Sequence, residues 1–145
     1  ELNADRTPNL EKIEFGFILF KVLPYSTRKR DEIGKMPKIY FYDLGLRNAL
    51  IENFQPINSR PDSGHLFENF IVSEILKTNY YGNFGYKLNY WRTKQGSEID
   101  LVLSKNDGEL RGIEIKSSAR AGGTAFSNRY PQATVIIITK QNFYQ

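Results

Sequence analysis

The sequence predicts an α/β fold in which a central mixed β-sheet is flanked by helices. Residues 63–80 are apolar around most of a helical circumference, a pattern typical of a buried helix. Residues 133–139 contain four consecutive apolar β-branched residues, Val135 to Ile138, which favours a strand buried on both faces at the centre of such a sheet. A strand over 86–94 and a short helix over 124–130 complete a predicted order of helix, three strands, helix and strand.

The N-terminal third is less decisive. Residues 10–23 could end a helix or form a strand, because short apolar runs do not distinguish the two, and Pro24 ends the element in either case. A strand is predicted over 38–42 and a short helix over 43–53. Residues 55–62 contain two prolines and are interpreted as a linker into the buried helix.

A polar connection, residues 25–36, joins these N-terminal elements. Its centre is a run of three cations, Arg28, Lys29 and Arg30. The run could be a solvated loop or the tip of a hairpin that contacts nucleic acid. We divide the chain into an N-terminal appendage, residues 1–54, and a core domain, residues 55–145.

The most informative segment is a predicted hairpin formed by residues 97–104 and 110–117. Both runs are apolar and rich in β-branched residues, and residues 106–108 between them have the composition of a turn. A three-residue loop with Gly108 in the left-handed conformation fixes the pairing of the two strands.

This register places Asp100 opposite Glu114, and Glu98 opposite Lys116. Side chains alternate along a strand, so all four should project from one face of the hairpin. The opposite face should carry the apolar side chains of Ile99, Leu101, Ile113 and Ile115. The hairpin is therefore expected to present charge on one side and a core on the other.

Two carboxylates directly opposite each other destabilise a sheet by up to about 1 kcal/mol unless a cation compensates them. Mg²⁺ suits this arrangement, because it prefers hard oxygen ligands and often uses only one or two carboxylates, and Mn²⁺ would serve as well. The alternative is an ordinary solvated face on which Glu98 and Lys116 form a cross-strand ion pair with Asp100 partly neutralised nearby.

Several runs of the sequence occur together in a known order. They are Pro37–Arg47, Gly64–Phe70, Tyr90–Lys94, Gly96–Asp100 and Ile113–Ser118. In order and spacing they resemble the C-terminal domain of a large group of prokaryotic AAA-type ATPases, a family of unknown function (family 4143). That domain is similar to the PD-(D/E)xK nuclease superfamily, which implies a restriction-endonuclease-like core.

The resemblance implies roles for four residues. Asp100 matches the first essential acid of the superfamily, and Glu114 and Lys116 match its (D/E)-x-K positions. Glu68 matches the acid that the preceding helix often supplies, although Glu74 of the same helix is an alternative. Asp100, Glu114 and Glu68 would then hold Mg²⁺, and Lys116 would orient the attacking water or stabilise the charge of the transition state.

The resemblance also bears on nucleic-acid binding. Arg92 and Lys94 should end beside the acidic site and could bind phosphates. The basic run of residues 28–30 could be the wing of a winged-helix module within the N-terminal appendage.

Composition sets the outer limits. The 145 residues carry 20 Lys and Arg against 16 Asp and Glu, a net charge of +4, which permits DNA binding without requiring it. There is no cysteine, which excludes disulfides and thiolate metal sites, and the single His65 makes a histidine-based zinc site implausible. No membrane-spanning run occurs, and we expect a cytoplasmic protein.

The sequence thus predicts a Mg²⁺-dependent DNA phosphodiester hydrolase domain. No phosphate-binding loop occurs in the chain, so the ATPase motor that the resemblance implies is expected upstream of Glu1 in the same polypeptide. The alternative function is a catalytically silent module that binds DNA or a protein partner and couples it to that ATPase.

Overall fold

The computed structural model describes residues 17–27, 36–116 and 122–144. Within these ranges the chain forms six strands and three α-helices. In chain order they are β1 (Leu19–Pro24), β2 (Lys38–Phe41), α1 (Leu44–Leu50), α2 (Ser63–Tyr81), β3 (Lys87–Arg92), β4 (Glu98–Ser104), β5 (Leu110–Lys116), α3 (Thr124–Arg129) and β6 (Thr134–Thr139), with a 3₁₀ turn at Ile57–Ser59. None of the described helices has the length and hydropathy needed to cross a bilayer.

The strands form one mixed sheet in the order β2-β1-β3-β4-β5-β6. Consecutive hairpins pair β1 with β2, β3 with β4 and β4 with β5 antiparallel, whereas β1 pairs parallel to β3 and β5 parallel to β6. The predicted α/β class and mixed sheet are confirmed. The predicted central position of residues 133–139 is wrong, because within the described part of the sheet β6 is an edge strand and most of its side chains are only partly covered.

The two faces of the sheet are covered by different helices. Val72 of α2 packs on one face, against side chains from five strands: Phe20, Val22, Tyr40, Tyr90, Leu101, Leu103 and Ile113. Phe126 of α3 is fully buried on the other face, with Trp91, Ile99, Val102, Leu110 and Tyr130. The neighbouring residues Leu101 and Val102 enter different clusters because side chains alternate along β4.

A β-bulge interrupts this alternation in β4. The β3–β4 register shifts between the pairs Asn89–Val102 and Trp91–Ile99, so two residues of β4 lie opposite one residue of β3. As a result Ile99 joins the α3-side cluster, whereas Leu101 joins the α2-side cluster. The expectation that Ile99 and Leu101 share one face is therefore wrong, since a regular period of two cannot anticipate an extra residue.

The N-terminal strands belong to the same sheet as the rest of the chain. Strands on both sides of the predicted boundary at residues 54/55 pair with each other, because β1 contacts β3. The buried Asn69 of α2 holds β2 by a two-way contact: its amide donates to the Phe41 carbonyl (2.8 Å) and its oxygen accepts from the Phe41 amide (2.9 Å). The helix therefore fixes the edge strand that carries Lys38.

From residue 38 onward, the predicted element boundaries agree with the structure to within a few residues. The buried helix predicted over 63–80 is α2, and the helix predicted over 43–53 is the shorter α1. Asp43 caps α1 rather than belonging to it, since its carboxylate accepts from the Leu46 amide (2.7 Å). The basic run Arg28, Lys29 and Arg30 lies outside the described residues.

Candidate functional site

An open cleft of about 580 Å³ lies between α2 and the end of the β4–β5 hairpin that is distant from its turn. Charged side chains from five elements line it: Lys38 of β2, Arg47 of α1, Glu68 of α2, Glu98 and Asp100 of β4, and Glu114 of β5. We call this the acidic cleft. It contains Glu68, Asp100 and Glu114, three of the residues that the sequence predicts for the site.

The β4–β5 register agrees with the prediction near the turn and departs from it at the cleft. Backbone pairing runs from Ser104–Leu110 to Leu101–Ile113. Beyond that pair, the Ile115 amide donates to the Asp100 carboxylate (2.8 Å). A side chain thus takes a place that a strand carbonyl would occupy in a regular ladder.

Asp100 is held in a half-closed environment, with 17 % of its side chain exposed. Burial raises the pKa of Asp100 above its ordinary value, the Ile115 amide and Lys38 oppose that rise, and the charge of Glu68 adds to it. Asp100 is therefore a carboxylate whose charge its surroundings compensate incompletely.

Lys38 lines the cleft, although the sequence did not predict a functional role for it. Its ammonium group lies 2.5 Å from Glu98, 3.1 Å from Glu68 and 3.3 Å from Asp100. Although burial opposes it, the hydrogen bond to Glu98 and the charges of Glu68 and Asp100 raise the pKa of Lys38 above its ordinary value. An ammonium group that remains charged thus neutralises carboxylates from two elements.

Glu114 and Lys116 lie beside this cluster and contact each other, with Lys116 Nζ 2.9 Å from Glu114 Oε1. The other carboxylate oxygen, Glu114 Oε2, is buried and has no hydrogen-bond partner within the described part of the chain. A Cβ atom at Gly122 would overlap Glu114 Oε2, so the absence of a side chain at Gly122 makes room for the carboxylate. A buried carboxylate oxygen without a partner is costly unless a ligand satisfies it.

Glu68 is the helix acid of the cleft. Its Oε1 accepts a hydrogen bond from the buried Tyr40 hydroxyl (2.7 Å) as well as contacting Lys38. Burial, followed by the charge of Glu68, raises the pKa of Tyr40, so the phenol stays a donor. The alternative acid, Glu74, pairs with Lys77 (2.7 Å) at the surface and lines a different groove.

The ion pairs of the cleft differ from the alternative that the sequence left open. A cross-strand pair of Glu98 with Lys116 is not formed: Glu98 contacts Lys38 and Lys116 contacts Glu114. The reason is that Glu98 pairs with Lys38 of β2. Lys38 is 60 residues away from Glu98 in the chain, so the geometry of the β4–β5 hairpin could not predict this contact.

The predicted phosphate-binding residues occupy the rim. Arg92 at the end of β3 is opposite Glu98 and its guanidinium is 3.7 Å from that carboxylate. Lys94 is exposed in the following turn, which the Thr93–Ser97 backbone hydrogen bond (2.8 Å) closes. Both residues therefore lie at or near the Glu98 side of the cleft.

A second charged group adjoins the cleft through α1. Asp62 accepts from Arg47 (3.0 Å) and from the buried Arg60 (2.6 Å). The hydrogen bond from Arg60, assisted by Arg47, lowers the pKa of Asp62 well below its usual range. Arg47 also lines the cleft, so α1 supplies a fixed positive charge at its wall.

The donor set of the cleft is chemically suited to Mg²⁺ or Mn²⁺, because carboxylate oxygens are hard ligands. Among the described residues, however, no three acidic or histidine side chains lie close enough to enclose an ion as they stand. Lys38 occupies the space among Glu68, Glu98 and Asp100, while Glu114 Oε2 has no hydrogen-bond partner in the part of the chain that the structure describes. The residues fit a metal ion if Lys38 moves.

Comparison with known proteins gives a family. The model of the family described as "Domain of unknown function (DUF4143)" matches residues 63–142, which extend from α2 to the end of the sheet and include Glu68, Asp100, Glu114 and Lys116. No solved structure matches the chain significantly.

Two curated relatives are uncharacterized proteins of Mycobacterium bovis and Mycobacterium tuberculosis. Each is 27 % identical over 115 residues, which are 76 % of this chain and 24 % of the relative. The chain thus spans about a quarter of the length of the curated relatives it matches.

Proposed function

The chain belongs to the DUF4143 family, and we propose that it is a Mg²⁺-dependent phosphodiester hydrolase domain that acts on DNA, with a restriction-endonuclease-like core. The observation that carries the proposal is the buried oxygen Glu114 Oε2, which lies beside Lys116 and has no hydrogen-bond partner among the described residues. A purely structural ion pair would leave no acceptor unsatisfied, because an orphan oxygen costs about 1–3 kcal/mol.

The residues that would hold Mg²⁺ are Asp100, Glu114 and Glu68. When bound, the ion would polarise the phosphate and lower the pKa of a water molecule. Lys116 lies 2.9 Å from Glu114, so its ammonium is within reach of a phosphate held at the same acids. Its role would be to orient the attacking water or to stabilise the negative charge that develops on the phosphate oxygens.

The rim cations would position the DNA. Arg92 lies next to Glu98 and 61 % of its side chain is exposed, so the guanidinium is accessible to a phosphate of the backbone. Lys94 is exposed in the adjoining turn and would add a second contact. Contacts of this kind give affinity and register without reading the base sequence.

The place of the domain in a larger protein is part of the proposal. In the mycobacterial relatives the matched segment is 24 % of the chain, which supports a multidomain arrangement. On the strength of the sequence resemblance, we propose that this chain is part of a longer polypeptide that also contains an AAA-type ATPase domain. We propose further that this protein acts in the cytoplasm.

The test compares the same substitution, Asp to Asn, at two positions: Asp100 in the cleft and Asp107 in the hairpin turn. The wild-type chain should bind Mg²⁺ and Mn²⁺ in calorimetric titrations and cleave plasmid or oligonucleotide DNA when either ion is added. Asp100→Asn should lose metal binding and at least about 100-fold in cleavage, since a liganding charge is removed while the shape is kept. The matched control is Asp107→Asn in the hairpin turn, which should retain both properties.

One observation favours a second candidate, a catalytically silent DNA- or protein-binding module. Lys38 already neutralises carboxylates of the cleft, so part of its charge balance needs no metal ion. In that case the chain should bind DNA or its partner equally well in the presence of a chelator, without cleavage at any metal concentration. Metal-dependent cleavage that is lost in Asp100→Asn would exclude the silent module.

A further inference from the structure

The ammonium group of Lys38 occupies the position at which three carboxylates converge. Its partners, Glu68, Glu98 and Asp100, lie 30, 60 and 62 residues away in the chain. The contact is built from several directions, since Asn69 fixes β2 through Phe41 and the ammonium also lies 5.7 Å from the centre of the Tyr90 ring. Lys38 is thus a placed counterion rather than a surface lysine that happens to be near acids.

The same group stands between the metal ligands that the proposed function requires. Lys38 already contacts Glu68 Oε1 and Asp100 Oδ1, so a Mg²⁺ ion held by these two carboxylates would compete with the ammonium for those oxygens and would be repelled by its charge. Glu114 lines the same cleft but is paired with Lys116 instead. Metal binding therefore requires Lys38 to leave its partners.

The Lys38 side chain has accessible space into which it can move. It is partly exposed, with 24 % of its side chain accessible, and it lines the open cleft together with Arg47. A phosphodiester entering the cleft would bring negative charge next to this flexible side chain, and a lysine binds phosphate as a mobile point charge. The ammonium can thus exchange carboxylates for phosphate.

We propose that Lys38 is a displaceable counterion which couples metal loading of the acidic cleft to nucleic-acid binding. Without nucleic acid, Lys38 neutralises Glu68, Glu98 and Asp100 and keeps Mg²⁺ affinity low. With nucleic acid, Lys38 pairs with a phosphate and releases the carboxylates to the metal ion. The inference rests on the proposed function, since it assumes that Mg²⁺ and a phosphodiester share this cleft.

Linkage makes the coupling measurable from either side. If nucleic acid raises the affinity for Mg²⁺ by some factor, Mg²⁺ must raise the affinity for nucleic acid by the same factor. Removing the Lys38 charge should abolish this mutual enhancement, because the carboxylates are then free before nucleic acid arrives.

The experiment is calorimetric titration of Mg²⁺ into the wild-type chain and into Lys38→Met, each alone and with a short DNA duplex in Ca²⁺-free buffer. Without DNA, Lys38→Met should bind Mg²⁺ at least about tenfold more tightly than wild type. DNA should tighten Mg²⁺ binding in wild type but change it by less than about twofold in Lys38→Met. Lys38→Arg keeps the charge and should behave like wild type.

Lys77→Met is the matched control, because Lys77 pairs with Glu74 one helical turn away (2.7 Å) and lies outside the cleft. It should leave Mg²⁺ affinity unchanged. Thermal melts of each variant establish that it is folded, and Lys38→Gln replaces Lys38→Met if the apolar side chain prevents folding.

The results separate this inference from the proposed function. Unchanged or weaker Mg²⁺ binding in Lys38→Met, or no binding in any of the variants, overturns the role of Lys38. Tighter binding in Lys38→Met without DNA cleavage by any variant supports the counterion and rejects the hydrolase. Cleavage by wild type with no affinity gain in Lys38→Met supports the hydrolase and rejects the counterion.

Discussion

The two ends of the β4–β5 hairpin both carry acids and cations, but they satisfy them differently. At the turn end, Glu109 accepts from the Tyr86 hydroxyl (2.6 Å) and from Arg111 (2.7 Å), and lies 3.4 Å from Lys105. One carboxylate is thus surrounded by three donors. The carboxylate at the turn end therefore has its charge and hydrogen bonds satisfied without any ligand.

At the cleft end the balance is reversed. Four carboxylates, from Glu68, Glu98, Asp100 and Glu114, line the cleft, and Lys38 is shared among three of them. Glu114 keeps a buried oxygen without a partner in the described structure. The difference teaches that charged residues on a hairpin mark a ligand site only where acceptors outnumber the donors that can reach them.

The largest difference between the two ends should appear in the cleavage rate when one lysine is removed, from the cleft end or from the turn end. Lys116→Ala should reduce metal-dependent cleavage at least about 100-fold, because the proposed stabilisation of the transition state is lost, while Mg²⁺ affinity changes by less than about threefold. Lys105→Ala at the turn end should leave both unchanged. Steady-state cleavage rates and calorimetry measure the pair, and full activity in Lys116→Ala would refute its assigned role.

An intermediate effect should come from a glycine at each end. Gly108→Ala should cost about 1–2 kcal/mol of unfolding free energy, because Gly108 has φ +94°, where a side chain is strained, and should leave Mg²⁺ affinity unchanged. Gly122→Ala should instead affect Mg²⁺ affinity and leave the unfolding free energy nearly unchanged. Its Cβ would overlap the flexible ends of Glu114 and Lys116, which can move, so stability should change little while Mg²⁺ binding weakens.

Urea unfolding of both glycine variants, paired with metal titration, makes this comparison. Loss of Mg²⁺ affinity in Gly108→Ala, or its full retention in Gly122→Ala, would contradict the division of the hairpin into a structural end and a ligand end.

The smallest effect should be a difference in acid sensitivity. Hydrogen bonds from Tyr86 and Arg111 lower the pKa of Glu109 to about 2, so its stabilising contribution is complete above the unfolded pKa and is lost as pH falls towards 2. Burial raises the pKa of Asp100, so ionised Asp100 costs stability at neutral pH and protonation relieves that cost.

Unfolding free energies of the metal-free protein between pH 7 and about pH 2 measure this difference. The stability of wild type relative to Glu109→Gln should decrease on acidification, whereas its stability relative to Asp100→Asn should increase. Parallel difference curves for the two variants would show that the ends are electrostatically equivalent.

Local patterns predicted most of the secondary structure. The apolar circumference of residues 63–80 predicted α2, and the turn around Gly108 predicted the pairing from Ser104–Leu110 to Leu101–Ile113. These features depend on interactions between near neighbours in the chain. The bulge near Asp100 escaped prediction because it lies in the pairing of β4 with β3, whereas the predicted register concerned only β4 and β5.

The residues of the candidate site also fall into those that the sequence predicted and those that only the structure revealed. Asp100, Glu114 and Lys116 were selected from the hairpin, and the resemblance selected Glu68, so the sequence named four of the residues that the structure places in or beside the cleft. Lys38 could not be found by spacing, because its partners are far away in the chain. Only its position in the run Pro37–Arg47 gave any signal.

By itself, the sequence determined the fold class and the hairpin register near its turn, because each is set by alternation, helical periodicity or turn geometry over a few residues. The tertiary structure alone decided the edge position of β6, the placement of Lys38 among three carboxylates and the orphan oxygen of Glu114. Those features depend on which distant elements pack together, and long-range packing leaves no periodic trace in a single sequence.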